Sequence, residues 1–465
     1  MKPLQVAYFV RVFPEPSSSA ASVRVLQVIA WLRARWGDAA ITLISNARLK
    51  KRQLDENPLV QLMVADPNTS SREMDAFLKT VDLVLFDTFV CEEMWSWRVR
   101  ERAPQVLRIL DTQDLSFLRL SRQQAVEKAC PLHELVHEPV HEPVHEPALE
   151  PALDREVEAR ECAAIERSDL SLLVSPAEMQ WLVTKNGIAK ECLMLLPIHA
   201  SGELRVPVAF DDRRDFVFIG NMRHAPNEDA VLWGMQTVWP AIRKRLPRAE
   251  WHIYGAYLSR KVVEAAEKTP GVACKGWAVD SVTTLSQYRV LLAPLRFGAG
   301  QKGKIVDAWT AQTAVVTTPM GSEGMGEPFA GWAESFEADK VAEAAVRGVV
   351  EQDVFQDWTL RGAVVLQERG DADFHGKRWT DLVAEYLDKK KDGSLDAERE
   401  ARDARKSWRE RALNRFGWER LKYFSKWIEG KNRAISTEVS QPETPSLSSF
   451  ETHRPSILPS DSPSP

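Results

Sequence analysis

The chain has 465 residues, with 44% hydrophobic and 27% charged residues, the proportions of a soluble globular protein with room for two domains and a tail. A net charge of −5 gives no reason to expect nucleic acid as a partner. Cys91, Cys130, Cys162, Cys192 and Cys274 are scattered without a C-x-x-C pair, which argues against a disulfide framework or a cysteine-ligated zinc site.

Met1–Val12 reads as a first strand, because its apolar part is short, Arg11 interrupts it, and Val6, Tyr8 and Val10 alternate. No apolar run approaches membrane-spanning length, and a cytoplasmic protein is expected.

Strand-like and helix-like segments alternate, the sign of parallel sheets with crossover helices. Strands are predicted at Gln5–Val10, Ile41–Ile44, Asp82–Phe86, Val106–Leu110, Leu170–Val174 and Cys192–Leu196. The loop Phe13–Ala21 is rich in proline and small residues, and Ser22 is placed to cap the next helix. Parallel order puts the strands' C-terminal ends on one edge, where such sheets bind ligands. The Asp87-Thr88 turn reaches that edge, as do Asp111 and Asp114. Asp111 and Asp114 are the candidate catalytic residues, to orient or deprotonate an acceptor hydroxyl; the alternative is a turn that caps the following helix. Ser175 and Glu178 form an S-x-x-E capping box.

Residues 130–153 break the pattern with a repeated Val-His-Glu-Pro unit. His133, His137, His141 and His145 are spaced as metal ligands on a helix would be. A proline in every repeat excludes that helix, so an exposed, extended insertion is expected, with any zinc or nickel binding incidental. Residues 1–200 form the predicted first domain and 201–214 a linker.

The second half restarts the scheme with strands at Phe216–Ile219, Trp251–Tyr254, Gly271–Cys274, Val290–Ala293 and Ala314–Thr317. This predicted domain spans 215–398. Helices carrying Trp408, Phe416, Trp418, Phe424 and Trp427 occupy 399–430, and a disordered Ser/Pro-rich tail occupies 431–465. The most informative stretch is Val290–Ala308: an apolar strand, a loop with Gly298, Ala299 and Gly300, and a helix start carrying Lys302 and Lys304. Glycines admit an anion close to the backbone, and free N–H groups at a helix start point at it. Lysines there oppose the helix dipole unless an anion is present. The spacing is not that of a P-loop.

Taken in order, Phe216–Asn221, His224–Ala230, Ile253–Gly255, Gly276–Asp280, Val290–Ala308 and Val315–Gly324 resemble the C-terminal domain of family-4 retaining glycosyltransferases, in a variant with a GAG-x-KGK loop. The first half is similar more weakly, through Ser22–Gln27 and Ile165–Glu178. The resemblance implies the α/β GT-B fold: two Rossmann-like domains facing a cleft, with a C-terminal helix crossing back to the first. It implies a retaining hexosyltransferase-like enzyme moving sugar from a nucleotide diphosphate sugar to a carbohydrate, lipid-linked or protein hydroxyl. The implied donor-binding residues are Gly220, Arg223, Trp277, Gly298, Ala299, Gly300, Lys302, Lys304, Asp307 and Glu323, with Asp307 on the ribose and the Gly276–Ala278 loop against the base. His224 and Asn227 read as structural, and Ser17–Ser19 with Arg24 as groups that close over the phosphates.

Many family members carry two glutamates in this stretch, the second in an E-A dipeptide. Asp307-Ala308 matches the second, and Ala299 stands where the first would be. Two alternatives follow: a catalytically weak nucleotide-sugar-binding scaffold, or a GT-B epimerase acting on the donor. No metal site and no cofactor beyond the sugar nucleotide are expected. The basic residues of the C-terminal helices offer a peripheral membrane contact.

Overall fold

A computed structural model describes residues 3–15, 19–49, 60–69, 71–130, 155–200, 206, 208–369, 372–405, 417, 420–422, 425, 426 and 428. The histidine repeat, Ser17, Ser18, the C-terminal aromatic residues named above and the tail lie outside the described residues.

Two parallel sheets organise the chain. The first contains β1 (Gln5–Phe9), β2 (Ala40–Ser45), β3 (Gln61–Val64), β4 (Leu83–Asp87), β5 (Leu107–Asp111), β6 (Leu170–Leu173) and β7 (Leu193–Leu195), in the order β3-β2-β1-β4-β5-β6-β7. The second contains β8 (Arg214–Ile219), β9 (Trp251–Tyr254), β10 (Val272–Gly276), β11 (Tyr288–Ala293) and β12 (Ala314–Thr317), in the order β10-β9-β8-β11-β12. All strand pairs are parallel. Strand order therefore reverses between β1 and β4 in one sheet and between β8 and β11 in the other. β8 begins at Arg214, the last residue of the expected linker.

Alternation within the strands of the first sheet feeds two cores. Val6, Tyr8, Leu83, Leu85, Leu107 and Ile109 pack on one face, and Ala7, Phe9, Val84, Phe86 and Leu110 on the other. Helix α1 (Ala20–Arg35) covers the first face with Val25, Val28, Ile29 and Leu32. Its N-cap is Ser19, whose side chain accepts a hydrogen bond from the Ser22 amide at 3.2 Å, so Ser22 is not the cap. Helix α2 (Ser116–Glu127) follows β5. In the second domain α3 (Ala225–Trp233) follows β8 and α4 (Gly303–Thr310) follows β11.

The chain returns to the first domain earlier than the aromatic pattern suggested. Helix α5 (Ala372–Asp392) lies beside α1, with Trp379, Val383 and Leu387 in the first domain's core. Gly376 makes the approach possible, since a Cβ there would sit 2.2 Å from the Trp31 ring. Helix α6 (Ser394–Arg405) is pinned by Arg399, which donates to Asp169 at 2.8 and 2.7 Å and to the Val106 carbonyl at 2.8 Å. The apolar spacing of α5 is visible in sequence; which sheet that face covers is a tertiary matter. Among the described residues no helix is long and apolar enough to cross a membrane.

Candidate functional site

The site lies where β11 hands over to α4 and the first domain closes against it. Helices α1 and α4 meet at their N-termini: a Cβ on Gly303 would lie 2.8 Å from that of Ala20. First-turn amides of a helix lack intrahelical acceptors, so two positive dipole ends lie side by side.

Lys304 stands beside them. Its Nζ donates to Asn227 Oδ1 at 2.5 Å and lies 4.1 Å from the centre of the Phe218 ring. Burial, then the nearby Lys302, lower its pKa to about 7. Gly220 is the space-maker: a Cβ there would come within 2.7 Å of the Asn227 amide and 3.1 Å of Lys304 Nζ. Lys302, buried, donates to the Gly300 carbonyl at 2.7 Å. Burial lowers its pKa to about 8 against the opposing pull of Glu323, Glu178 and Asp114. One turn along α4, Asp307 accepts from Ser281 Oγ at 2.8 Å, and burial raises its carboxyl to about 6, with Asp280 adding to the rise. Trp277 follows Gly276, which has a φ of +75°, and is partly exposed.

The glycine loop itself is not an open anion cradle. The Gly300 amide donates to Glu178 Oε1 at 2.8 Å, and the Gly298 carbonyl accepts from Arg122 at 2.7 Å. Arg122 also donates to Glu323 at 2.8 and 2.6 Å, so Glu323 belongs to a buried interdomain ion pair. Gln301 adds a third tie by accepting from the Ile198 amide at 3.0 Å. Ala299, nearly buried, packs into the first domain's core. An apolar side chain suits that position, and a carboxylate there would be desolvated.

Glu178 departs from the expected capping box. Its carboxylate accepts from Leu115 N and Gly300 N, both at 2.8 Å, bridging two domains. Burial raises its pKa to about 8. Ser175 is the N-cap residue but makes no side-chain cap bond.

The two proposed catalytic aspartates are both engaged. Asp111, fully buried, accepts from Arg24 Nε at 2.9 and 2.8 Å, and Arg24 also donates to the Leu196 carbonyl. This ion pair also removes Arg24 from any role over the phosphates. Asp114 is paired with Arg119 at 2.7 Å, and its carboxyl is lowered, Arg119 outweighing burial. It does face the loop, since a Cβ on Gly300 would lie 3.0 Å from Asp114 Cβ.

His224, the N-cap of α3, is open to the cleft yet walled by protein, and desolvation lowers its imidazole to about 4. Asn227 does not cap α3; it donates to the Asn221 carbonyl at 2.8 Å and receives Lys304. Arg223, exposed at the rim, lies 3.7 Å over the Tyr257 ring, and the Tyr257 hydroxyl donates to Glu15 across the cleft at 2.6 Å. Sequence reasoning missed Arg122 and Gln301 altogether, and read Asp87 only as a turn residue. Asp87 could have been found as the acidic end of a fully apolar strand. Among the described residues no group of three or more His, Cys, Asp or Glu side chains could hold a metal ion.

Comparison with known proteins agrees with this architecture. Residues 213–348 match the family model described as Glycosyl transferases group 1, a match confined to the second domain. Among curated proteins none matches the chain by sequence. The structure of Alr3699/HepE from Anabaena, solved in complex with UDP and glucose, is similar at TM-score 0.59 and 11% identity, covering 82% of this chain and 99% of that one. Sucrose-phosphate synthase from Thermosynechococcus elongatus is similar at TM-score 0.59 and 12% identity, covering 82% and 98%. The chain spans 55% of the S. aureus TarM chain, over 64% of its own length, at TM-score 0.48 and 12% identity. The architecture, two Rossmann-like domains facing each other, is that of GT-B glycosyltransferases.

Proposed function

We propose that this protein is a glycosyltransferase that moves a sugar from a nucleotide diphosphate sugar to an acceptor hydroxyl with retention of configuration. The observation that carries this reading is the meeting of the α1 and α4 N-termini beside Lys304, at the β8/β11 reversal of the second sheet. A diphosphate supplies the negative charge that two helix ends and two partly discharged lysines lack. Asp307 with Ser281 is suited to ribose hydroxyls, and the loop at Trp277 to the base. Lysines and helix amides, rather than a divalent ion, carry the leaving group's charge as the glycosidic bond breaks. Retention needs no protein nucleophile on this reading, because the acceptor attacks the face of the anomeric carbon from which the diphosphate departs.

The buried position of Ala299 and the engagement of Asp111 and Asp114 favour, as a second reading, a nucleotide-sugar-binding scaffold with weak turnover. Incubation with UDP-glucose, GDP-mannose and TDP-glucose separates the cases. Free nucleotide means transfer or hydrolysis, and binding without turnover means a scaffold. Conversion to another sugar nucleotide means an epimerase. UDP-glucose comes first because a HepE structure of this fold holds it. Lys302→Ala combined with Lys304→Ala is expected to weaken nucleoside diphosphate binding by about 10²-fold, each charge-assisted bond being worth about 1.5–3 kcal/mol. An unchanged Kd sinks the phosphate assignment.

A further inference from the structure

The first sheet has its own reversal, between β1 and β4, and Asp87 is the last residue of β4. Crevices at such reversals bind ligands in parallel sheets. The donor reading leaves this one unused.

Asp87 and Asp111 are register partners on neighbouring strands. Two adjacent carboxylates cannot both ionise without counter-charge. Arg24 supplies it to Asp111 alone, through Nε at 2.8 and 2.9 Å. Asp87 receives the neutral Gln113 amide at 2.9 Å, and exposed Arg11 lies near it. Burial, then repulsion by Asp111, raises the Asp87 pKa to about 7. The other titratable neighbours are Tyr8 on β1 and Cys91 on the helix after β4, and burial pushes both well above their ordinary values. The Tyr8 hydroxyl is buried and lacks a hydrogen-bond partner among the described residues. Of these groups, Asp87 is the one that exchanges a proton near neutrality.

The backbone around it is strained. Thr88 has a φ of +79° and Gln113 of +63°, in the region that favours glycine and that other residues adopt at a cost. Gln113 also links Asp87 to the donor loop, for its carbonyl lies 3.2 Å from where a Cβ on Gly300 would be.

The geometry points to Asp87 as the acceptor-side residue, whose carboxylate takes the proton of the incoming hydroxyl. This rests on the transfer reading above. The acceptor oxygen bonds to the anomeric carbon as that carbon's bond to the phosphate oxygen breaks. The nucleoside diphosphate leaves with the bonding pair, and the hydroxyl proton passes to Asp87 and then to solvent. Asp111 and Asp114, each held by an arginine, take no part in that proton transfer.

The test is UDP release from UDP-glucose with water as acceptor, followed from about pH 5.5 to 8.5, or the same assay with GDP-mannose or TDP-glucose if the donor panel selects one of those. The wild-type rate should rise through about pH 7, because the base must be ionised. Asp87→Asn should lower the rate at pH 8 by about 10²-fold or more and abolish the rise, with UDP affinity kept within about twofold. Asp87→Glu should restore part of the rate and the rise. An Asp87→Asn variant with wild-type rate and pH profile overturns the proposal, as does one that loses UDP affinity in step with its rate. Wild-type protein that turns over none of the three donors, whether or not it binds UDP, would show instead that the transfer reading has failed, and the role of Asp87 with it.

Discussion

Arg122→Ala should open the cleft. Arg122 and Glu323 are 1% and 5% exposed at their side chains and share a two-pronged ion pair at 2.8 and 2.6 Å. Arg122 also holds the Gly298 carbonyl at 2.7 Å. Removing one partner of a buried pair costs about 3–5 kcal/mol, because the other is left charged and dry. Each domain keeps its own core in the variant, so Glu323 is rehydrated most cheaply by separation of the domains. The penalty then falls on closure, and about 3 kcal/mol shifts the closed-to-open ratio by about 10²-fold. Small-angle scattering should show a larger radius of gyration that saturating nucleotide diphosphate reverses in part, and kcat/KM should fall by a similar factor. Arg122→Lys, which keeps the charge and loses the fork, should lie between. An Arg122→Ala protein with wild-type dimensions and turnover within about twofold would refute the clamp. So would one that unfolds at lower temperature without opening.

Donor affinity should depend on pH with a definite sign. Burial lowers Lys304 to about 7 and Lys302 to about 8 in the unliganded cleft. A bound diphosphate favours the charged lysines, so binding takes up protons and affinity falls as pH rises above 7, by up to about tenfold per unit. Calorimetry at pH 8 in buffers of different ionisation enthalpy measures the uptake, and flat affinity with none contradicts the lysine placement. Gly300→Ala should impair closure without destabilising the second domain. Its φ is +63° and a Cβ would meet Asp114 Cβ at 3.0 Å and the Gln113 carbonyl at 3.2 Å, both in the facing domain. A variant with normal turnover would show that the loop does not seat against Asp114.

Much of the fold was legible because a buried parallel strand is a short apolar run between turns. β9 and β12 match the predicted spans residue for residue, and the other predicted strands differ at their ends by one to two residues. β3 was missed since it is an edge strand that buries no residue fully and so leaves no apolar run to read. The site was legible in part. Gly220, Lys302, Lys304 and Asp307 announce themselves by residue type and by position after strand ends; the structure sets Gly220 against Lys304 and carries the other three along one helix.

What sequence could not decide is which charges cancel. Arg24 and Asp111 are 87 residues apart, and Arg122 and Glu323 are 201 apart. Periodicity tells which face of an element is buried and is silent about what lies against it. Glu178 thus reads as a helix cap and becomes a tether to Gly300, while Ala299 reads as a lost carboxylate and becomes a core residue of the other domain. By itself the sequence determined the positions of most strands and the presence of a glycine- and lysine-bearing helix start, because both depend on neighbours along the chain. The tertiary structure alone decided that Asp111 is paired with the Arg24 guanidinium while Asp87, its register partner, receives the neutral Gln113 amide, because Arg24 reaches only one of the two.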